Sequence, residues 1–258
     1  ANRNYGDLPF KTHETHVGIN YQEVVSEYNG IKVVFSICVP YGDAVVLYNV
    51  KVCNNGEKKR NLDVYFCIQP RPELTWHDAY GFADNDEKLN GLLYRHDGFA
   101  MPNDYSKVFV GCNRKYIAYD LSHSAFRGEY NDYSTPVGLK AEKLSCKGAT
   151  FESEYVAAFQ LRVSLDKAES YETTFCSFAA RTEEECLELK TRYLDETTFS
   201  AEIEKIKAAN NDVFDTFILN SPDVYLNSQV NIWLKRQLSL GKSWGRLYGK
   251  GFRDVMQD

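Results

Sequence analysis

Along the first two-thirds of the chain, apolar and polar residues alternate with a period of two. In IKVVFSICV, Ile31, Val33, Phe35, Ile37 and Val39 share one face. In NLDVYFCI, Leu62, Val64, Phe66 and Ile68 do the same. In EYVAAFQLRVSL, Tyr155, Ala157, Phe159, Leu161, Val163 and Leu165 lie opposite Gln160, Arg162 and Ser164, and SYETTFCSF alternates similarly. Neighbouring side chains of a strand point to opposite faces, so one apolar face predicts antiparallel strands covering a core. Asn29-Gly30 and Asn55-Gly56 fall between such runs. Both pairs accept the positive φ that a tight turn needs, so both predict hairpins. Residues 70–150 are less regular and read as shorter strands with long loops, RPELTWHDAYGF among them. The pattern predicts a chain that is mainly β with α, its β part a large two-sheet sandwich.

The period changes near residue 182. Thr182 with Glu185 fits a capping box, and Cys186, Leu189 and Tyr193 follow at helical spacing. A second helical segment, from about Ser200, carries Ile203, Ile206, Val213, Phe214 and Phe217. A third opens with Ser221-Pro222-Asp223: a capping serine, a proline at the first helical position and an acid facing the positive helix end. It places Leu226, Val230, Trp233 and Leu234 on one stripe and is expected to stop at Gly241. Three parts are expected: a β domain over 1–180, a helical linker over 181–220, and a helix with a glycine-rich loop over 221–258. The last helix is apolar over much of its surface, which suits the first helix of something larger.

Composition narrows the function. The 258 residues include 43% hydrophobic and 26% charged ones, an ordinary globular balance. The net charge is −6 and no basic run occurs, which argues against nucleic acid. No stretch reaches the roughly 20 apolar residues that span a bilayer. Seven cysteines, an odd number with no Cys-x-x-Cys, read as small buried hydrophobes of a reducing compartment, so the expected location is cytoplasmic. His13 and His16 lie three apart without the cysteine or carboxylate partners of a zinc site, so no metal is expected. The 18 tyrosines and 15 phenylalanines suit sugar-binding surfaces, and equally the cores of broad sheets.

Candidate chemistry gathers in WGRLYGKGFRDVMQD. Glycines recur at 241, 245, 249 and 251, and Trp244, Tyr248 and Phe252 interleave with Arg246, Lys250, Arg253 and Asp254. A sugar takes this mixture, with aromatic platforms for its C–H face and charged groups for its hydroxyls. An adjacent Arg and Asp can grip neighbouring hydroxyls, one donating and one accepting. They can equally pair with each other or with helix neighbours. Asp254 and Asp258, four apart, would share a helix face, which leaves a paired-carboxylate hydrolase open.

GFRDVMQD resembles the G-[FY]-R-D-x-x-Q-D motif of glycoside hydrolase family 94, the inverting glycoside phosphorylases. VSEYNGIKVVFSICVPYGDAVVLYNVKVCNNGEKKRNLDVYFCIQP resembles that family's N-terminal sandwich, and SPDVYLNSQVNIWLKRQ the entry helix of its barrel. WGRLYGKGFRDVMQD as a whole is most similar to members acting on β-1,2-linked glucooligosaccharides. The resemblance implies an N-terminal β supersandwich (galactose mutarotase-like), linker helices and the start of an (α/α)6 barrel. It implies that inorganic phosphate, a co-substrate rather than a cofactor, attacks the anomeric carbon with inversion and releases a sugar 1-phosphate. Phosphate is already a nucleophilic oxyanion, so one catalytic acid suffices.

Carried over by residue, Arg253 and Asp254 match the doublet that contacts donor-sugar hydroxyls, and Asp258 supports the loop. Trp244 and Tyr248 complete the substrate-binding set. Tyr248 stands where cellobiose phosphorylases have an arginine, a departure that weighs against a cellobiose-type grip. The family's general acid lies in a Trp-Asn-Asp segment; none occurs here, so no catalytic residue is expected before Asp258. The phosphate site also lies later, so the rest of the barrel is expected in the same or another chain. The resemblance is compatible with a homodimer. Trp76, His77 and Tyr80 are candidates for an acceptor-side loop, and equally for a packed sandwich loop. The competing reading is a non-catalytic carbohydrate-binding or interaction sandwich.

Overall fold

The structure, a computed structural model, describes residues 10–70, 81–96, 107–147, 149–152 and 155–244. Its strands are β1 (Thr12–Gly18), β2 (Tyr21–Tyr28), β3 (Ile31–Cys38), β4 (Val45–Asn54), β5 (Arg60–Ile68), β6 (Gly81–Asp86), β7 (Gly91–His96), β8 (Lys107–Cys112), β9 (Ala118–Ser122), β10 (Ala149–Glu152), β11 (Tyr155–Leu165) and β12 (Ser170–Ala180). Nine form one sheet in the order β1-β2-β3-β4-β12-β8-β7-β6-β10; β5-β11-β9 form a second. Every pairing is antiparallel. The chain divides into two units, Ala1–Glu202 and Ile203–Asp258.

The first unit is the expected sandwich. The predicted apolar faces of β5 and β11 enter one core, joined from the large sheet by Val50, Val52, Val110 and Phe175. Aromatic rings bridge the two sheets: Phe66 stacks on Phe175 with centroids 4.0 Å apart, and Phe159 meets Phe175 at 5.6 Å. Burial of each such side chain stabilises by about 1.5–3 kcal/mol. Ile31, Val33 and Phe35 of β3 pack against the same core. Val39 lies past the strand end and is exposed.

The Asn29-Gly30 hairpin forms as expected. Tyr28 pairs with Ile31, and Asn29 and Gly30 take φ of 49° and 75°. Asn55-Gly56 does not form one. β4 belongs to the large sheet and β5 to the small one, so residues 55–59 carry the chain between sheets. Gly56 instead packs under the first turn, where a Cβ on Gly30 would lie 3.1 Å from the Gly56 Cα.

Each sheet is covered over part of its outer face. On β12, Cys176, Phe178 and Ala180 point away from the core that Phe175 enters, and all are buried. The helix α1 (His123–Arg127) belongs to the small sheet's cover, described below. The helix α2 (Glu183–Tyr193) contacts β12 and buries Cys186, Leu189 and Tyr193. Thr182 Oγ1 accepts from the Glu185 amide at 3.1 Å; the returning Glu185 carboxylate accepts from Arg181, one residue before the expected partner. Tyr193 and Arg192 both donate to Asp43, at 2.7 and 2.6 Å, tying α2 to the β3–β4 connection.

On the small sheet, Val156 and Ala158 meet Phe126 and Leu144 in a second cluster, supplied by the segment from α1 to Cys146. Gln160, expected on a polar outer face, is therefore fully buried. Its amide donates to Asp63 and to the Glu142 carbonyl, both at 3.0 Å, and its oxygen accepts from the Leu144 amide at 2.9 Å. Burial of that amide is compensated because each group has a partner.

The helix α3 (Thr198–Phe214) begins two residues before the expected Ser200. In the second unit follow α4 (Val224–Ser228), a π-helical stretch Gln229–Leu234, and α5 (Lys235–Trp244).

Candidate functional site

The helix leading to the candidate sugar site starts differently from expectation. Asp223, not Ser221, is its N-cap: its carboxylate accepts from the Tyr225 and Leu226 amides at 2.9 and 3.1 Å. Aspartate is among the strongest N-caps because it satisfies orphan donors and opposes the positive helix end. Ser221 is held one turn earlier. Its amide and hydroxyl reach the Asn227 side-chain oxygen at 2.9 and 2.8 Å, and the Asn227 amide donates to its carbonyl at 2.8 Å.

The same pattern repeats four residues on. Asn231 accepts from the Leu219 amide at 2.7 Å and donates to the Leu219 carbonyl at 2.8 Å. Four residues later the Lys235 ammonium donates to the Phe214 and Phe217 carbonyls and lies 5.8 Å from the Phe217 ring centre. Asn227, Asn231 and Lys235 thus form a polar stripe that takes the backbone groups left open after α3 ends. A cation at a helix C-terminus opposes the partial negative charge of the last carbonyls.

The helix does not stop at Gly241 but runs on to Trp244. A single glycine costs a helix only about 1 kcal/mol relative to alanine, so it weakens the turn without ending it. Apolar residues stay exposed along this stretch: Val224, Tyr225, Leu226, Ile232, Trp233, Leu234 and Leu238. Trp244 closes α5 at the last described position. The side chain of Trp244, and Tyr248, Arg253, Asp254 and Asp258 altogether, lie outside the described residues, as do Trp76, His77 and Tyr80.

Two clefts open on the first unit. One, of about 480 Å³, lies over the outer face of the small sheet and is lined by Tyr65, Ile68, Phe126, Tyr133 and Leu139. The other, of about 380 Å³, lies at one end of the sandwich, between the β6–β7 turn and the β8–β9 connection. Tyr116 is a wall of the second. Its ring meets Phe159 of the core at 5.0 Å, and its hydroxyl donates to Asn85. Tyr119 stands nearly perpendicular to it, centroids 6.2 Å apart. Burial raises both phenols above their usual range; neighbouring thiols and carboxylates add to the effect. Asp120, next in the chain, is buried, and burial raises its carboxyl against the opposing hydrogen bonds of Ser145. No sequence period marks this cleft, because residues 81–119 show no regular alternation. Its one signal was the Tyr-x-x-Tyr of KYIAYD.

Among the described residues no cluster of His, Cys, Asp and Glu could hold a metal ion, and no helix is long and apolar enough to cross a membrane. All seven cysteines carry free thiols.

Residues 8–196 match the family model described as glycosyl hydrolase 94, supersandwich domain. The chain belongs to this family. Relatives of the glycosyl hydrolase 94 chain include the solabiose phosphorylase of Paenibacillus borealis, 24% identical over 95% of this chain and 32% of its own length. The cellobionic acid phosphorylase of Neurospora crassa is 26% identical over 83% of this chain and 27% of its own length. The N,N'-diacetylchitobiose phosphorylase of Vibrio furnissii is 21% identical over 95% and 32%. The glycosyl hydrolase 94 chain therefore spans about a third of the length of the curated relatives it matches.

Proposed function

We propose that the chain is the N-terminal part of an inverting glycoside phosphorylase that cleaves β-linked glucooligosaccharides with inorganic phosphate, yielding α-glucose 1-phosphate. The observation that carries this reading is the family match over residues 8–196, joined by relatives that are all named phosphorylases. Those relatives act on different disaccharides, so the linkage rests on the chain's own WGRLYGKGFRDVMQD, which resembles members acting on β-1,2-linked glucooligosaccharides and whose Tyr248 weighs against a cellobiose-type grip.

In this reading the helix from Val224 to Trp244 enters an (α/α)6 barrel, and its exposed apolar residues face the other barrel helices. Arg253 and Asp254 hold hydroxyls of the donor sugar by charge-assisted hydrogen bonds, Trp244 and Tyr248 offer aromatic surface, and Asp258 supports the loop. The general acid and the phosphate site are assigned to the part of such enzymes that this chain does not span. Phosphate is a co-substrate and no further cofactor is assigned. The enzyme is placed in the cytoplasm, which the free thiols support, and a homodimer is compatible with it.

The test is to express the full reading frame that carries this chain and incubate it with phosphate and sophorose, then with cellobiose. Glucose 1-phosphate from sophorose supports the reading. Free glucose without glucose 1-phosphate would point to a hydrolase acting through Asp254 and Asp258.

A further inference from the structure

The cleft at the end of the sandwich has more recognition chemistry than a packed loop needs. Its frame is rigid. Asn90, held at a φ of 50°, donates to the Cys112 and Arg114 carbonyls at 2.9 and 3.2 Å, locking the β6–β7 turn to the connection that follows β8. The Ile117 amide donates to the Gln160 carbonyl at 2.8 Å, and the Cys146 amide to the Tyr119 carbonyl at 2.9 Å. Tyr116 is fixed at both ends, by Phe159 and by Asn85. A frame held in this way loses little entropy when a ligand enters.

The groups that face the opening are, by contrast, uncommitted. Among the described residues no hydrogen bond or ion pair engages the Lys115 ammonium, the Glu87 carboxylate or the Tyr119 hydroxyl, and the Asn85 side-chain NH2 donates to none. Together they offer a cation, an anion, an amide donor and a phenol around a half-buried aromatic ring. Lys115 and Glu87 supply one charge of each sign, and Asp84, Asp86 and Asp120 act on the two phenols from close by, so an anionic ligand would meet like charge. A neutral polyol uses both: hydroxyls accept from Lys115 and Asn85 and donate to Glu87, while a C–H face lies on Tyr119. The volume of about 380 Å³ falls at the small end of ligand sites, enough for one or two pyranose rings.

We propose that this cleft binds one end of a neutral β-glucooligosaccharide, with Tyr119 as the platform and Lys115, Glu87 and Asn85 as the hydroxyl contacts. The choice of a glucooligosaccharide rests on the proposed phosphorylase function; the preference for a neutral polyol rests on the cleft alone. Such a site would hold substrate chains on the β unit and raise their local concentration.

The experiment is calorimetric titration of the full protein that carries this chain, with Asp254→Ala so that the WGRLYGKGFRDVMQD segment contributes little, against sophorose and separately against cellobiose. One sugar site per chain is expected. Tyr119→Ala should weaken it about tenfold, the scale of a lost aromatic platform. Lys115→Ala and Glu87→Gln, at exposed positions where folding is not at stake, should each weaken it several-fold. No binding in the Asp254→Ala chain, or binding indifferent to all three cleft substitutions, overturns the proposal. Loss of the cleft site with glucose 1-phosphate still formed by the full protein refutes this inference alone. Cleft binding without glucose 1-phosphate refutes the proposed function alone.

Discussion

Asn54 and Leu165 stand 111 residues apart and are joined by a 3.1 Å hydrogen bond from the Asn54 amide to the Leu165 carbonyl. The same amide reaches the carbonyls of Lys58 and Asp166, at 2.9 and 3.1 Å, and its oxygen accepts from the Gly56 amide at 3.1 Å. Asn54 is fully buried. One side chain thus closes both crossings between the sheets, β4 to β5 and β11 to β12. Replacing it with alanine removes a partner from the buried Leu165 carbonyl and from three part-buried backbone groups. Asn54→Ala should cost about 2–3 kcal/mol, read as a lower urea midpoint at unchanged slope. A loss within experimental error would show that water replaces the amide at no cost.

Arg162 contributes to the acid limb of the stability profile. Its guanidinium donates to both Asp63 oxygens, at 2.8 and 2.9 Å, and holds that carboxyl below its usual range against the opposing effect of burial. A carboxyl depressed in the folded state stabilises fully above its unfolded value, and this contribution is lost as pH falls below that value through the lowered folded one. Asp120, raised by burial, runs the other way and weakens the fold as pH rises above the unfolded value through its own raised one. Asp63→Asn should therefore flatten the acid loss, and Asp120→Asn should steepen it, in urea midpoints followed from about pH 6 to pH 3. Parallel profiles for both variants and the native chain would contradict these assignments.

How much was legible in the sequence depends on what each residue faces. The inward faces of β5 and β11 were readable because every second residue enters one core. Gln160 was misread because its burial depends on Leu144 and Glu142, which no local period reveals. Asn55-Gly56 has the composition of a hairpin, and only the pairing of β5 with β11 shows that the chain changes sheet there. Asp223 took the capping role from Ser221 because Asn227, a turn later, occupies the serine. The candidate sugar-site residues Tyr248, Arg253, Asp254 and Asp258 are readable only as a motif, and they lie outside the described residues.

The polar stripe on the last helix gives a local test. Asn231→Ala removes both bonds to Leu219. At a net worth of about 0.5–1.5 kcal/mol for the bond that the Leu219 amide itself donates, that amide should exchange its hydrogen at least roughly two- to tenfold faster. Amides of β11 should not change. Uniform acceleration across both units would mean that the stripe supports global rather than local stability.

Thiol labelling should follow burial. Cys38, Cys112, Cys176 and Cys186 are buried, and burial lifts the Cys38 and Cys112 thiols to about 12. Cys67 is only half-covered, yet burial lifts its thiol to about 12 as well. Since the thiolate is the reactive form, iodoacetamide at pH 8 should modify Cys53 and Cys146 first. Peptide mapping that finds Cys38 or Cys112 labelled at the same rate would contradict the packing described.

The central claim is phosphorolysis by the protein to which this chain belongs. The most direct measurement is proton NMR of the full reading frame's product acting on sophorose in phosphate buffer, beside an Asp254→Ala variant. The account predicts α-glucose 1-phosphate as the first-formed anomer and a loss of turnover of roughly ten- to hundredfold in the variant, the order expected when a charged contact to the donor sugar is removed. Formation of free glucose alone, or full turnover by Asp254→Ala, would contradict it.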